Sequence, residues 1–370
     1  MSNTQKKNVP ELRFPEFEGE WEEKQLGNII KVNSGKDYKH LDKGDIPVYG
    51  TGGYMTSVSE PLSEIDAVGI GRKGTINKPY LLEAPFWTVD TLFYCTPKKE
   101  TDILFILSLF RKINWKVYDE STGVPSLSKQ TINKINRFVP TNKEQQKIGK
   151  FFSKLDRQIE LEEQKLELLQ QQKKGYMQKI FSQELRFKDE NGNDYPDWTN
   201  ERLGEVTTVT MGQSPKSVNY TDNSNDTVLI QGNADIENGL INPRIYTREV
   251  TKLIQKDEII LTVRAPVGKL AMAQINACIG RGVCSIKGDK FLYYFLEWFA
   301  TQNKWIRFSQ GSTFESISGN DIRNIHIKIP VEDERTKIIK LLNSLDVLNS
   351  KTDLKIQNLK QRKQSLLQKI

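Results

Sequence analysis

Residues 69–74, GIGRKG, have the glycine spacing of a loop that holds a dinucleotide. Such a loop needs a helix to begin directly after it, with the helix N-terminus on the pyrophosphate. The segment that follows here contains Pro79 and Pro85, and both residues disfavour a helix. We therefore interpret residues 69–74 as the end of a strand followed by a basic turn.

Residues 77–80, NKPY, resemble the N-P-P-Y tetrad with which amino-methyltransferases hold a flipped adenine, with Lys78 in place of the first proline. No glycine-rich strand for S-adenosylmethionine accompanies the tetrad, and the sequence contains no P-loop motif. The 2 histidines and 3 cysteines, without C-x-x-C spacing, are too few for a zinc site or a catalytic triad. The sequence therefore predicts that this chain binds no cofactor or metal and is not itself an enzyme.

Basic, amide and aromatic side chains near glycines form a different kind of candidate site, because such loops can approach duplex DNA closely. Arginine can pair with guanine, and asparagine or glutamine with adenine. The candidates in the first half of the chain are Tyr49, Tyr54, Arg72, Lys73 and Lys78. Those in the second half are Gln213, Lys216, Gln231, Asn233, Arg244, Arg264, Lys269 and Arg281. Alternatively, several of these side chains only satisfy loop backbone or pair with nearby acids.

The net charge of +7 suggests an anionic partner, but the position of the charge limits this argument. Residues 12–140 contain 17 basic and 17 acidic side chains, and residues 185–330 contain the same numbers. Of the seven net positive charges, six lie in the segments that follow these regions and one lies in the N-terminal tail. A nucleic-acid surface in either region must therefore arise from local clustering of basic groups.

The sequence segments that position these candidates occur twice in the chain. PTNKEQQKIGKFFSKLD at residues 140–156 returns in altered form as PVEDERTKIIKLLNSLD at residues 330–346. LRF occurs at residues 12–14 and again at 185–187, Trp21 matches Trp198, and Arg72 is aligned with Arg264. The chain is thus a tandem duplication of a globular domain followed by a long helix.

Both repeated segments have the apolar spacing of a coiled-coil seam, with alternating steps of four and three residues. The predicted seam residues are Ile148, Phe152, Leu155, Ile159, Leu166, Leu169, Ile338, Leu342, Leu345, Ile356, Leu359 and Leu366. A helix of about 40 residues is roughly 60 Å long. If the second helix packs against the first, it must run back along it, so the pair is antiparallel.

The predicted fold class is α+β, with two similar domains separated by two long helices in an antiparallel coiled coil and related by a pseudo-twofold axis. Short β-branched and aromatic runs between glycines and prolines predict the strands. The predicted divisions are an N-terminal tail at 1–11, domains at 12–140 and 185–330, and spacer helices at 141–184 and 331–370.

With these features the chain resembles the specificity subunits of type I restriction-modification systems. The motifs that carry the resemblance are VPTNKEQQKIGKFFSKLDRQI and its second copy, MGQSPKSVNY, LIQGNADIENGLI, VRAPVGKLAMAQINACIGRGVCSI and GSTFESISGNDIRNIHIKIP. The resemblance implies two target-recognition domains, each of which reads one half of a bipartite sequence in double-stranded DNA. It also implies two modification subunits that methylate adenine with S-adenosylmethionine, and restriction subunits that use ATP and Mg²⁺.

Two other functions remain open from the residues alone. One is a coiled-coil adaptor without DNA specificity, and the other is a self-contained DNA methyltransferase, which would need its own cofactor site. The sequence has no apolar run of about 18 residues and no apolar segment typical of a signal peptide near its start. We therefore expect a cytoplasmic protein with no membrane partner.

Overall fold

The computed structural model describes residues 8–305 and 316–370, which form two compact units. Unit 1 runs to Gln164 and also includes Asp353–Ile370, whereas unit 2 is Lys165–Thr352. Each unit contains one globular domain and parts of both long helices. The predicted tail residues 1–7, and residues 311–315 of the GSTFESIS motif, lie outside the described residues.

Domain 1, within unit 1, has a four-stranded antiparallel sheet, a three-stranded sheet and a two-stranded ladder. Their strand orders are β2-β8-β5-β6, β4-β3-β7 and β1-β9. The strands are β1 (Glu22–Gln25), β2 (Ile30–Ser34), β3 (Ile46–Gly50), β4 (Gly53–Val58), β5 (Ala67–Gly71), β6 (Tyr80–Leu82), β7 (Trp87–Thr88), β8 (Leu92–Pro97) and β9 (Asn136–Val139). The helices are Leu26–Ile29, Ile103–Lys112, the 3₁₀ turn Trp115–Tyr118, and Lys129–Lys134.

Domain 2, within unit 2, repeats the four-stranded sheet as β11-β21-β18-β19 and the ladder as β10-β22. Its other sheets have the orders β12-β16-β13-β20-β17 and β14-β15. The strands are β10 (Thr199–Arg202), β11 (Val209–Met211), β12 (Tyr220–Thr221), β13 (Thr227–Ile230), β14 (Ile236–Glu237), β15 (Leu240–Ile241), β16 (Tyr246–Thr247), β17 (Leu253–Ile254), β18 (Ile259–Thr262), β19 (Leu270–Met272), β20 (Ala277–Ile279), β21 (Val283–Ile286) and β22 (His326–Ile329). The helices are Leu203–Val206, the 3₁₀ turns Ser217–Asn219 and Asn233–Asp235, Lys290–Thr301 and Gly319–Arg323.

The same local signals form the equivalent elements of both domains. The inner strands β5 and β18 are buried at every position, as their runs AVGIG and IILT require. The helix beside each sheet begins after an aspartate whose carboxylate accepts a backbone N–H three residues later. Asp102 accepts from Phe105 at 2.8 Å, and Asp289 accepts from Leu292 at 3.1 Å.

The long helices span Asn142–Phe181 and Glu332–Lys369, and each contributes to the core of both units. Ile148, Phe152 and Leu367 belong to the core of unit 1. The core of unit 2 includes Ile180 and Ile338. Every predicted seam residue is buried or half-buried.

Ion pairs between the long helices give their relative direction. In unit 1, Asp156 pairs with Lys363 and Glu162 pairs with Lys355, so residue numbers rise along one helix as they fall along the other. This antiparallel pairing and the mixed sheet and helix content confirm the predicted fold class.

Residues 8–305 and 316–370 contain no helix that is long and apolar enough to cross a membrane. They also contain no group of three or more histidine, cysteine, aspartate or glutamate side chains that could hold a metal ion.

Candidate nucleic-acid interface

Several of the predicted residues of domain 2 line one cleft of about 240 Å³. Gln231 and Asn233 lie in the turn after β13, Arg264 directly follows the end of β18, and Arg281 lies in the turn between β20 and β21. Both arginine side chains are exposed. The cleft therefore offers two guanidinium forks and two amides to a ligand that is polar and anionic.

Fixed backbone contacts shape the walls of this cleft. The buried carboxylate of Asp235 accepts the N–H groups of Gln231 at 2.8 Å and Gly232 at 3.1 Å. Ser214 Oγ accepts the N–H of Arg281 at 3.0 Å. These hydrogen bonds within the domain fix the backbone on which the side chains of the cleft are mounted.

Lys269 has a different position from the other candidates of domain 2. Its ammonium group donates to the backbone carbonyls of Asn233 at 3.2 Å and Ile236 at 2.6 Å, so it holds the turn that carries Asn233. The remaining candidates of this domain are exposed and do not line the cleft; they are Gln213, Lys216 and Arg244.

In domain 1 the predicted tyrosines lie together with a third. The ring of Tyr49 lies 6.4 Å from that of Tyr54 and 6.1 Å from that of Tyr80, measured between centroids. Tyr80 Oη donates to the carbonyl of Gly50 at 2.6 Å, and burial raises the pKa of the Tyr80 hydroxyl. Tyr54 remains 64% exposed, so its ring can stack on a base.

The basic candidates of domain 1 follow β5. Arg72 donates from its guanidinium to the carbonyl of Asp90 at 3.4 Å and lies 5.9 Å from the centroid of the Phe93 ring. Lys73 is exposed, and its backbone pairs with that of Ser126. Lys78 is exposed on the loop between β5 and β6.

Backbone hydrogen bonds align the two domains residue by residue around these sites. Lys73 pairs with Ser126 as Arg264 pairs with Ser316. The N–H groups of Arg72 and Val263 donate to equivalent carbonyls, those of Thr91 and Gly282. Arg264 therefore corresponds to Lys73, and the sequence alignment of Arg72 with Arg264 is wrong by one residue.

The same alignment identifies two residues that the sequence analysis missed. The N–H of Lys36 donates to the carbonyl of Thr88 as that of Gln213 donates to Ile279, so these two residues are equivalent. Asp90, in the turn between β7 and β8, occupies the position that Arg281 has in the turn between β20 and β21.

A glycine precedes Lys36 and Gln213 and could have revealed their equivalence. A Cβ atom at Gly35 would lie 2.0 Å from the carbonyl oxygen of Val89, and one at Gly212 would lie 2.1 Å from that of Gly280. Only glycine fits at either position. In the sequence, these glycines are the central residues of the tripeptides SGK at 34–36 and MGQ at 211–213.

Comparison with known proteins gives consistent matches. The model of the family described as "Type I restriction modification DNA specificity domain" matches residues 18–171 and 195–361. A putative type I restriction enzyme MjaX specificity subunit from Methanocaldococcus jannaschii is 30% identical over 261 residues, which cover 66% of this chain and 61% of that relative. The MjaVIII specificity subunit of the same organism is 25% identical over 312 residues, covering 77% of this chain and 71% of that relative. The chain thus spans about three-fifths of the length of the first relative.

Among solved structures, the S subunit of a type I restriction-modification system from M. genitalium matches with a TM-score of 0.67 and 16% identity. The match covers 98% of both chains. A likeness at this level of identity shows a common fold for the two proteins.

Proposed function

Because the chain belongs to the family of type I restriction-modification DNA specificity domains, we propose that it reads a bipartite sequence in double-stranded DNA. Each domain contacts one half of the target. One observation carries the proposal: equivalent backbone positions in the two domains hold chemically different side chains. The pairs are Lys36 with Gln213, Gly50 with Gln231, Lys73 with Arg264, and Asp90 with Arg281. A duplicated reader of two different half-sites requires this combination of common framework and divergent contacts.

The side chains of the domain 2 cleft suit base edges in the major groove. Arginine can donate two hydrogen bonds to the O6 and N7 atoms of guanine, and glutamine or asparagine can bond adenine in the same bidentate way. The exposed basic groups also suit phosphate oxygens, which supply affinity that does not depend on sequence. Arg264 and Arg281 can serve in either role, because both are exposed on one cleft.

In this proposal the chain recognises DNA and leaves the chemistry to other subunits. Two modification subunits bind S-adenosylmethionine and methylate adenine, and restriction subunits with ATP and Mg²⁺ join the assembly for cleavage. The outer faces of the long helices, which are rich in exposed charged side chains, serve as docking surfaces for these subunits. A DNA target also places the chain in the cytoplasm.

The test is to sequence the methylated sites of a host that expresses the modification subunit with and without this chain. We expect adenine methylation at one bipartite motif only when the chain is present. Purified modification subunit, alone and mixed with the chain, provides the matched binding measurement on a duplex that contains the motif. An unchanged methylation pattern without the chain would overturn the proposal.

A further inference from the structure

We propose that residues 90 and 281 are equivalent specificity positions, at which Arg281 reads a guanine in one half-site and Asp90 reads a cytosine in the other. This inference rests on the proposed function and adds to it the base that each position selects.

The two residues lie at the middle of turns with the same backbone pattern. Gly280 donates its N–H to Ile230 at 2.8 Å and accepts from Val283 at 3.2 Å. In domain 1, the contacts at the same positions are Val89 to Tyr49 at 3.0 Å and Leu92 to Val89 at 3.0 Å. Each turn joins two strands of different sheets, so each presents its middle side chain from a comparable place in its own domain.

Both side chains are available to a ligand. Arg281 and Asp90 are exposed. Within the part of the chain that the structure describes, neither the guanidinium of Arg281 nor the carboxylate of Asp90 makes a hydrogen bond or ion pair to another side chain or backbone group. Asp226, by contrast, pairs with Arg248 at 3.6 Å. The charges at positions 90 and 281 are thus not used to hold their own domains together.

Each of these side chains has a basic residue nearby whose positive charge can contact DNA. Arg281 shares its cleft with Arg264, and Asp90 lies near Lys73, the residue equivalent to Arg264. Phosphates repel a carboxylate that faces DNA, and a hydrogen bond donated by a base can offset this repulsion. Asp90 therefore selects for a donor on the base edge.

The pattern of groups in the major groove decides between the two possible donors. Cytosine presents its N4 amino group, whereas adenine presents an N6 amino group beside the N7 acceptor. N7 would face the second carboxylate oxygen and repel it, so cytosine fits the carboxylate better. Guanine presents two acceptors, O6 and N7, which match the guanidinium fork of Arg281.

The experiment uses the chain assembled with its modification subunits and a duplex library in which both half-sites are randomised. Arg281→Ala should lower the preference for guanine at one position of one half-site by roughly 5- to 150-fold. Asp90→Asn should move the preference from cytosine towards adenine at one position of the other half-site, because a carboxamide pairs with adenine. In each case the second half-site should keep its sequence.

Lys188→Ala and Glu23→Gln are the matched controls, because each removes one exposed charge of the same sign outside these turns. We expect both controls to select the wild-type motif. Gel filtration of every complex establishes that the variants fold and assemble.

Two results would overturn the inference while leaving the proposed function standing. One is a wild-type bipartite motif that neither variant changes. The other is weaker binding of the Arg281→Ala complex to all sequences with a smaller salt dependence, which would assign Arg281 to a phosphate. A wild-type complex that selects no sequence dependent on this chain would instead contradict the proposed function itself.

Discussion

The buried carboxylate of Glu334 fixes the start of the second long helix to domain 2. It accepts from the indole N–H of Trp198 at 2.9 Å and from the guanidinium of Arg186 at 2.8 Å. Its side chain is 0% exposed. Unit 1 contains the same arrangement, formed by Glu144, Trp21 and Arg13. In both units one charge on the first turn of a long helix is satisfied by the segment that enters the domain.

We expect Glu334→Gln to lower the free energy of unfolding by about 3 kcal/mol, because it leaves the half-buried charge of Arg186 with only the exposed carboxylate of Asp197, 3.8 Å away. Urea unfolding at pH 7 measures the loss. Glu332→Gln is the control, since that side chain is 80% exposed and its pair with Arg335 spans 3.8 Å. A wild-type unfolding midpoint for Glu334→Gln would show that the buried pair does not stabilise the domain.

The residues of the buried glutamate contact can be identified from the sequence, whereas those of the domain 2 cleft can be identified only in part. Glu144 with Glu334 and Trp21 with Trp198 keep their types in both copies, because the same contact needs the same donor and acceptor twice. Positions that read different bases have no such constraint. Asp90 shares no chemistry with Arg281, so only the backbone hydrogen bonds reveal their equivalence.

The seam between the long helices contains a lysine at equivalent positions of the repeat, Lys173 and Lys363. Lys173 contacts Glu297 at 2.7 Å and Asp346 at 2.7 Å. Burial is the main cause that raises the pKa of Glu297. Lys363 pairs with Asp156, and Arg111 pairs with the same carboxylate. Lys173 thus neutralises two carboxylates, whereas Lys363 shares one carboxylate with a second cation.

We predict that Lys173→Met destabilises the chain by about 3–5 kcal/mol at pH 7, because two partly buried carboxylates then lack a cation. Lys363→Met should cost less, since Arg111 still pairs with Asp156. The raised pKa of Glu297 means that the fold favours its protonated form. The loss in Lys173→Met should therefore shrink as the pH falls from 7 to 5.

Urea unfolding of both variants and the wild type at pH 7 and pH 5 makes this comparison. Equal losses for the two lysines at pH 7 would contradict the account of the seam. A loss for Lys173→Met that grows at pH 5 would contradict the assignment of its cause to the unpaired carboxylates.

At the scale of elements, the sequence predicts the helices better than the sheets. The seam depends on spacing within one segment, so the alternation from Ile148 to Leu169 is sufficient to predict a long helix. The sheets depend on pairing between distant segments, such as the parallel pair of β3 with β7. No local pattern in the sequence encodes that pairing, although the individual strands are visible as short apolar runs.

In each unit, the hydrophobic core combines residues of the globular domain with residues of the long helices. The core of unit 2 includes Phe291 and Leu296 of domain 2 with Ile180, Ile338 and Leu342 of the long helices. A replacement of domain 2 must therefore keep apolar residues where the domain meets the helices.

The central claim is that two domains of one chain read two half-sites independently. The most direct measurement replaces residues 185–330 with the equivalent segment of a relative and maps the methylated motif of a host that expresses the modification subunit. We predict that one half-site changes to the sequence read by the donor domain, while the other half-site stays the same. A simultaneous change in both half-sites, or no change in either, would contradict the claim.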